Sequence, residues 1–352
     1  MIVVFLLAGI VVLALTGMLL TALFANKKYF RRRYDGNPNL KYFTADDFQH
    51  LEAEPISFPS DKGQILRGYI YRSNQIRAEG LIIFSHGYGA GHLSYTTEIN
   101  TLAQAGFVVL AYDATGCVSS DGKYFGGFDQ GPIDLRFAIK FAKEHPVLKL
   151  FDGCILAGHS WGGFTVMNSV NDPWVRGAVA MCGFIDCASV MAQTAVGQTK
   201  KGAARRWWKL FVPGLTLLNR IKYGKNGNKN SIKSLLNTDK PVLLLYGEKD
   251  KTVFYPNNVE RIKRAVIHKN NITFLSYNKK GHNVYLTEQA EESMYEIFGA
   301  IAKTFAKDKE QAIRMYSQID YDKIMQEDPV VMKKIVDFCK NTLEDRKSSE
   351  RL

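Results

Sequence analysis

The chain has 352 residues, is 46% hydrophobic and carries a formal net charge of +12. That is enough to bury one large core, so one α/β domain plus appendages is the natural division. Five scattered cysteines, odd in number and without C-x-x-C spacing, argue against a disulfide framework or a zinc site and for reduced core thiols.

In chain order, Ile2 to Phe24 is an uncharged run rich in Leu, Val and Ile. As a helix it is about 35 Å long, enough to cross a bilayer. The run predicts a retained transmembrane anchor over residues 1–26. A cleavable signal peptide would carry basic residues before the run and an A-x-A site after it, and neither is present. Lys27, Lys28, Arg31, Arg32 and Arg33 follow, interleaved with Tyr29, Phe30 and Tyr34. Cationic clusters stay on the cytoplasmic side and aromatic rings settle at the interface, so a single-pass protein with the bulk of the chain on the cytoplasmic side is expected. Residues 27–54 form this basic juxtamembrane segment and a linker, with Asp35-Gly36-Asn37-Pro38 as a turn.

The pattern then changes. Pro55–Pro59 and Ile65–Tyr71 read as two strands joined through Asp61-Lys62-Gly63. Leu81–Ser85, Phe107–Tyr112, Cys154–Ala157, Gly177–Met181, Val242–Tyr246 and Ile272–Ser276 are apolar runs separated mostly by stretches of helical spacing. Such alternation predicts a mostly parallel sheet with helices on both faces, spanning residues 55–305. An insertion at 186–240 breaks the alternation, and it carries eleven basic residues against Asp186 and Asp239. The basicity of the chain is therefore local. Trp207, Trp208, Leu210 and Phe211 lie beside Arg205, Arg206 and Lys209. Cations among aromatics suit nucleic acid or anionic lipid, and a chain already tethered to a membrane favours lipid over nucleic acid. A solvated lid face is the plainer alternative. Residues 306–352 read as a charged helical tail with Val330, Val331, Ile335 and Phe338 as its apolar stripe.

The chemistry gathers around Gly158-His159-Ser160-Trp161-Gly162-Gly163, which follows an apolar strand and opens a helix. Gly158 and Gly162 flank Ser160 at the two positions where a Cβ would collide in a nucleophile elbow. Acyl transfer by serine also needs a base, a carboxylate to orient it, and donors for the developing oxyanion. Asp250, in Gly247-Glu248-Lys249-Asp250, follows one strand, and His282, in Gly281-His282, follows the last. The order Ser160, Asp250, His282 is that of nucleophile, acid and base. Asp186 is the second candidate for the acid. His86-Gly87-Tyr88-Gly89 is a Gly-rich turn after a strand. It offers the Tyr88 N–H, beside that of Trp161, as an oxyanion donor. His86 and Gly87 are expected to shape this turn and His159 to be packed. The turn lacks the Lys-Ser/Thr pair of a phosphate loop.

These motifs, with Asp113-Ala114-Thr115-Gly116-Cys117-Val118-Ser119-Ser120-Asp121-Gly122, resemble the α/β-hydrolase superfamily over residues 55–305. Within it, the chain looks most like the branch of monoacylglycerol lipases and serine aminopeptidase-like hydrolases. In the last motif Thr115 and Val118 stand where the family usually has arginine and glycine. The resemblance implies an α/β-hydrolase fold, a lid at 186–240 and a serine hydrolase acting through an acyl-enzyme, with no metal and no organic cofactor. An apolar acyl ester, lipid-like or otherwise, is the expected substrate. A peptidase or amidase of the same fold, or a non-catalytic lipid-binding scaffold, is the alternative.

Overall fold

The computed structural model describes residues 1–196 and 208–349. Among these, eight strands form one sheet. They are β1 Leu51–Pro59, β2 Ile65–Ser73, β3 Gly80–Ser85, β4 Phe107–Tyr112, β5 Cys154–His159, β6 Val175–Met181, β7 Val242–Gly247 and β8 Ile272–Tyr277. Their spatial order is β1-β2-β4-β3-β5-β6-β7-β8. β2 runs antiparallel to both its neighbours, and all other pairs are parallel. β1 begins at Leu51, four residues before the expected Pro55. Glu52 and Glu54 on its exposed face are drawn in by Arg72 of β2, which pairs with Glu52 at 3.0 Å.

The helices are α1 Ile2–Phe30, α2 Thr96–Gln104, α3 Gln130–Glu144, α4 Trp161–Met167, α5 Cys187–Val196, α6 Val212–Tyr223, α7 Ser231–Leu236, α8 Tyr255–Val266, α9 Glu288–Phe305, α10 Lys309–Tyr316, α11 Tyr321–Ile324 and α12 Pro329–Ser349. Side chains alternate along each central strand, so the sheet has two apolar faces. Leu81, Ile83, Leu110 and Leu156 meet α3 and α8 on one face. Ile82, Phe84, Val109 and Ile155 meet α2 and α12 on the other. The stripe that docks α12 is Val331, Met332, Ile335 and Cys339, whereas Val330 faces solvent. All five cysteines are buried free thiols.

α1 covers the expected anchor. Among the described residues no helix is long and apolar enough to cross a membrane, several α1 side chains lying outside that set. The end of α1 and the residues after it are not a detached linker. Phe30 is fully buried, its ring edge-on to Tyr88, Phe125 and Phe128. Arg33 donates to the carbonyls of Ser120 and Gly122, and Tyr34 bridges to Cys117. Aromatic rings expected at a lipid interface are thus partly spent on the protein core. Of the insertion, α5, α6 and α7 are described, and α6 packs on both α1 and α5. Lys200, Lys201, Arg205, Arg206 and Trp207 lie outside the described residues.

Candidate active site

β5 ends at His159 inside the sheet and α4 starts at Trp161, which leaves Ser160 alone to make the whole turn. It does so with φ 57° and ψ −112°, a conformation a residue with a Cβ adopts only where its surroundings hold it. The surroundings are tight. A Cβ on Gly162 would collide with the Ser85 carbonyl of β3, and one on Gly158 with the backbone of Gly162. The Ser160 N–H donates to Met181 O of β6 at 2.8 Å, locking the turn to the neighbouring strand.

Asp250 and His282, 32 residues apart, are brought together across the ends of β7 and β8. His282 Nδ1 lies 2.7 Å from Asp250 Oδ2. The second carboxylate oxygen accepts the Thr252 and Val253 N–H groups at 2.7 and 2.9 Å. Three accepted hydrogen bonds fix the carboxylate, and it is almost wholly buried. Asp186 plays a different part. Its two oxygens accept the Ser189 N–H and hydroxyl at the start of α5, a helix cap.

The turn after β3 is built by its own side chains. His86 Nδ1–H donates to Gly87 O at 2.8 Å, so its Nε2 accepts the Ala114 N–H at 2.9 Å. His86 is a brace and not a base. Among the described residues, neither the Tyr88 N–H nor the Trp161 N–H donates to a protein group, so both are available to an anion. In the Asp113–Gly122 loop, Val118 keeps a positive φ of 37° where the resembled family has glycine. The Val118 N–H bond to Tyr34 O holds the backbone there. Thr115, in place of the family's arginine, joins Asp134 through both its N–H and its hydroxyl.

Two residues that the sequence did not single out tie these parts together. Tyr95 Oη accepts the Gly87 N–H at 3.0 Å and lies 2.9 Å from His159 Nδ1. His159 Nε2 lies 2.9 Å from the His282 carbonyl. A carbonyl only accepts, so Nε2 carries the proton, Nδ1 accepts from the tyrosine hydroxyl, and one chain of donors runs from the turn after β3 to the backbone of His282. Burial, and then the neighbouring His282, hold the His159 pKa well below the ordinary value, which keeps the ring neutral as this chain requires. Glu291 of α9 is the second. Its carboxylate accepts the N–H groups of Gly281 and Asn283, each at 2.7 Å, and so grips both sides of His282. Neither residue belongs to a local motif, and each acts only through partners far away in sequence. Atoms of His159, Cys182 and His282 that could ligate a metal lie within 4.8 Å of one another. Both nitrogens of His159 and Nδ1 of His282 are already committed to hydrogen bonds, so this cluster reads as packing.

Ser160 opens on a cavity of about 260 Å³. Phe128, Phe184, Val190, Met191 and Val253 give it apolar walls, and Tyr29 and Phe30 bring the end of α1 to it. Among the described residues Arg32 is its one charged lining residue, its Nη2 3.3 Å from Tyr88 Oη, and no acidic side chain lines it.

The sheet order and the strand-to-helix turn at Ser160 define the class: the chain has the α/β-hydrolase fold. Residues 76–237 match the family model described as serine aminopeptidase, S33. Among solved structures, an esterase of Pyrococcus furiosus is similar with a TM-score of 0.55 and 19% identity, covering 78% of this chain and 98% of its own. Pyrococcus horikoshii acylaminoacyl peptidase is similar with a TM-score of 0.51 and 15% identity, over 68% of this chain and 38% of its own. No curated protein matches the sequence.

Proposed function

We propose that the chain is a membrane-anchored serine hydrolase that cleaves carboxylic esters with an apolar acyl part. The observation that carries this reading is the 2.7 Å bond from His282 to the buried Asp250, in a fold whose Ser160 turn opens on an apolar cavity. His282 Nε2 takes the proton of Ser160 as its oxygen attacks the ester carbon. Asp250 holds the imidazole in the tautomer that leaves Nε2 free to accept, and offsets the charge it gains. The Tyr88 and Trp161 N–H groups receive the oxyanion, and each such donor is worth roughly 10²–10³ in rate. The alcohol leaves with the proton from His282, and water then releases the acyl group by the same steps.

An amidase or peptidase reading finds support in the family model's description. An aminopeptidase, however, needs an acid to hold the substrate amine, and the described cavity lining supplies Arg32 instead. The anchor rests on residues 2–24, and its exposed side chains agree: Leu6, Leu7, Ile10, Leu13, Leu20 and Phe24 are each at least 59% exposed. Apolar side chains on all sides of a helix call for a lipid or protein cover. A fluorophosphonate probe tests the chemistry. It should label the wild type and not Ser160→Ala, and equal labelling of both would end this reading. Hydrolysis of aminoacyl amides with no action on short p-nitrophenyl esters would instead establish the peptidase.

A further inference from the structure

Beside the cavity at Ser160, on another face of α1, lies a second hollow of about 680 Å³. Phe24, Lys27 and Lys28 of α1 and its capping residue Arg31 line it on one side, and Lys123 and Tyr124 from the loop after β4 on the other. Phe24, Lys27 and Lys28 are spaced i, i+3 and i+4 on one face of α1, and Arg31, its capping residue, follows at i+7. Among the described residues, no ion pair uses Lys27, Lys28, Arg31 or Lys123. Four uncompensated cations held around one hollow repel each other unless an anion joins them.

We propose that this hollow binds the phosphodiester head group of an anionic phospholipid. The position along α1 selects lipid over a soluble anion. Phe24 is the last residue of the uncharged run, and the cations begin three residues later. Phe24 to Arg31 rises about 10 Å, the depth over which a bilayer passes from acyl chains through its head groups. Phe24 and Tyr124 supply the amphipathic rims such a boundary favours. Lys123 belongs to the hydrolase domain and not to the helix. A head group bound between them therefore fixes the domain against the membrane and keeps the mouth of the Ser160 cavity, walled by Tyr29 and Phe30 of the same helical turn, at the lipid surface. The source of the lipid rests on the anchor reading above, whereas the recognition itself rests on the four cations.

The test uses the full chain in neutral detergent micelles doped with either phosphatidylglycerol or phosphatidylcholine. Thermal unfolding and fluorophosphonate labelling of Ser160 are read in the same samples. Phosphatidylglycerol should raise the unfolding temperature by several degrees, and phosphatidylcholine should not. Lys123→Gln, an exposed loop change, and the pair Lys123→Gln/Arg31→Gln should weaken the apparent affinity at least tenfold, while Lys149→Gln/Lys303→Gln, exposed cations elsewhere, should not. No shift, an equal shift in all variants, or a full shift with inorganic phosphate alone at the same concentration would each overturn the proposal. Labelling of Ser160 that persists through such a failure leaves the hydrolase reading in place.

Discussion

His159 shows how much a single side chain beside Ser160 can organise. Its ring joins the turn after β3, through Tyr95, to the backbone of His282, so the three strands that lead to Tyr88, Ser160 and His282 are held by one hydrogen-bonded chain. Tyr95→Phe deletes one oxygen from it. The Gly87 N–H then loses its partner, and His159 Nδ1 loses the donor that fixes its tautomer. A buried donor left unpaired costs about 1–3 kcal/mol, and a displacement near 1 Å at a reacting group can cost about 10²-fold in rate. Steady-state kinetics of Tyr95→Phe should therefore show kcat falling roughly 10- to 100-fold with KM nearly unchanged. Asp250→Asn isolates a different property. Its oxygen still accepts from Thr252 and Val253, but its amide meets His282 Nδ1 with a donor and turns the imidazole to the wrong tautomer. The loss in kcat on a short-chain ester should reach roughly 10³–10⁴, and a loss below tenfold would show that Asp250 does not orient the base.

Between elements, the strap before α12 bears on the loop that carries His282. Leu286 bridges to Glu327, the Thr287 N–H donates to Gln326 O, and the Asp328 N–H donates to Tyr285 O. Lys280 pairs with Asp328 at 2.7 Å. Under this strap two carboxyl groups are buried close together, Glu98 of α2 and Glu327, and the Thr101 hydroxyl donates to Glu327 at 2.5 Å. Burial pushes the Glu327 pKa up to about 7; burial and then the charge of Glu327 push Glu98 well above its usual value. A group whose folded pKa lies above its unfolded pKa keeps its proton longer when folded. Stability is then lost as pH rises from about 4.5 toward 7 and stays low above that. Glu327→Gln removes the charge and keeps the acceptor for Thr101. Its unfolding temperature should exceed that of the wild type at pH 8, and the difference should vanish near pH 4.5. These long-range pairings mark where the sequence stops being legible. Each central strand could be read from its own apolar run, and Ser160, Asp250 and His282 from the turns after three of them. The insertion of β4 between β2 and β3, the strand character of Leu51–Glu54, and the parts played by Tyr95 and Glu291 could not, because each depends on a partner brought up from another part of the chain.

At the scale of the molecule, α1 belongs to two structures at once. Its first 24 residues are an apolar helix whose described side chains are mostly exposed, while Tyr29 and Phe30 wall the cavity at Ser160 and Phe30 is as buried as any core residue. The boundary between the proposed membrane segment and the folded domain therefore falls within the helix, near residue 26, and not after the basic cluster. A chain lacking residues 1–26 keeps Phe30 among Phe125 and Phe128, Arg33 on the loop after β4, and Tyr34 on Cys117. It loses a stretch of helix whose described side chains are mostly exposed. A chain lacking residues 1–34 loses all of these, and truncating one buried phenylalanine alone costs about 3–5 kcal/mol. The shorter deletion should remain folded and hydrolyse a water-soluble short-chain ester at a rate within roughly threefold of the full chain, since among the described residues the hydrogen bonds named at the site involve none of residues 1–26. On esters embedded in vesicles it should lose at least tenfold, because the anchor no longer concentrates enzyme and substrate on one surface. The longer deletion should unfold at a much lower temperature and lose activity on both. Equal activity of the two truncations on the soluble ester would place the end of α1 outside the active site, and equal activity of the full and shorter chains on vesicles would remove the case for an anchor.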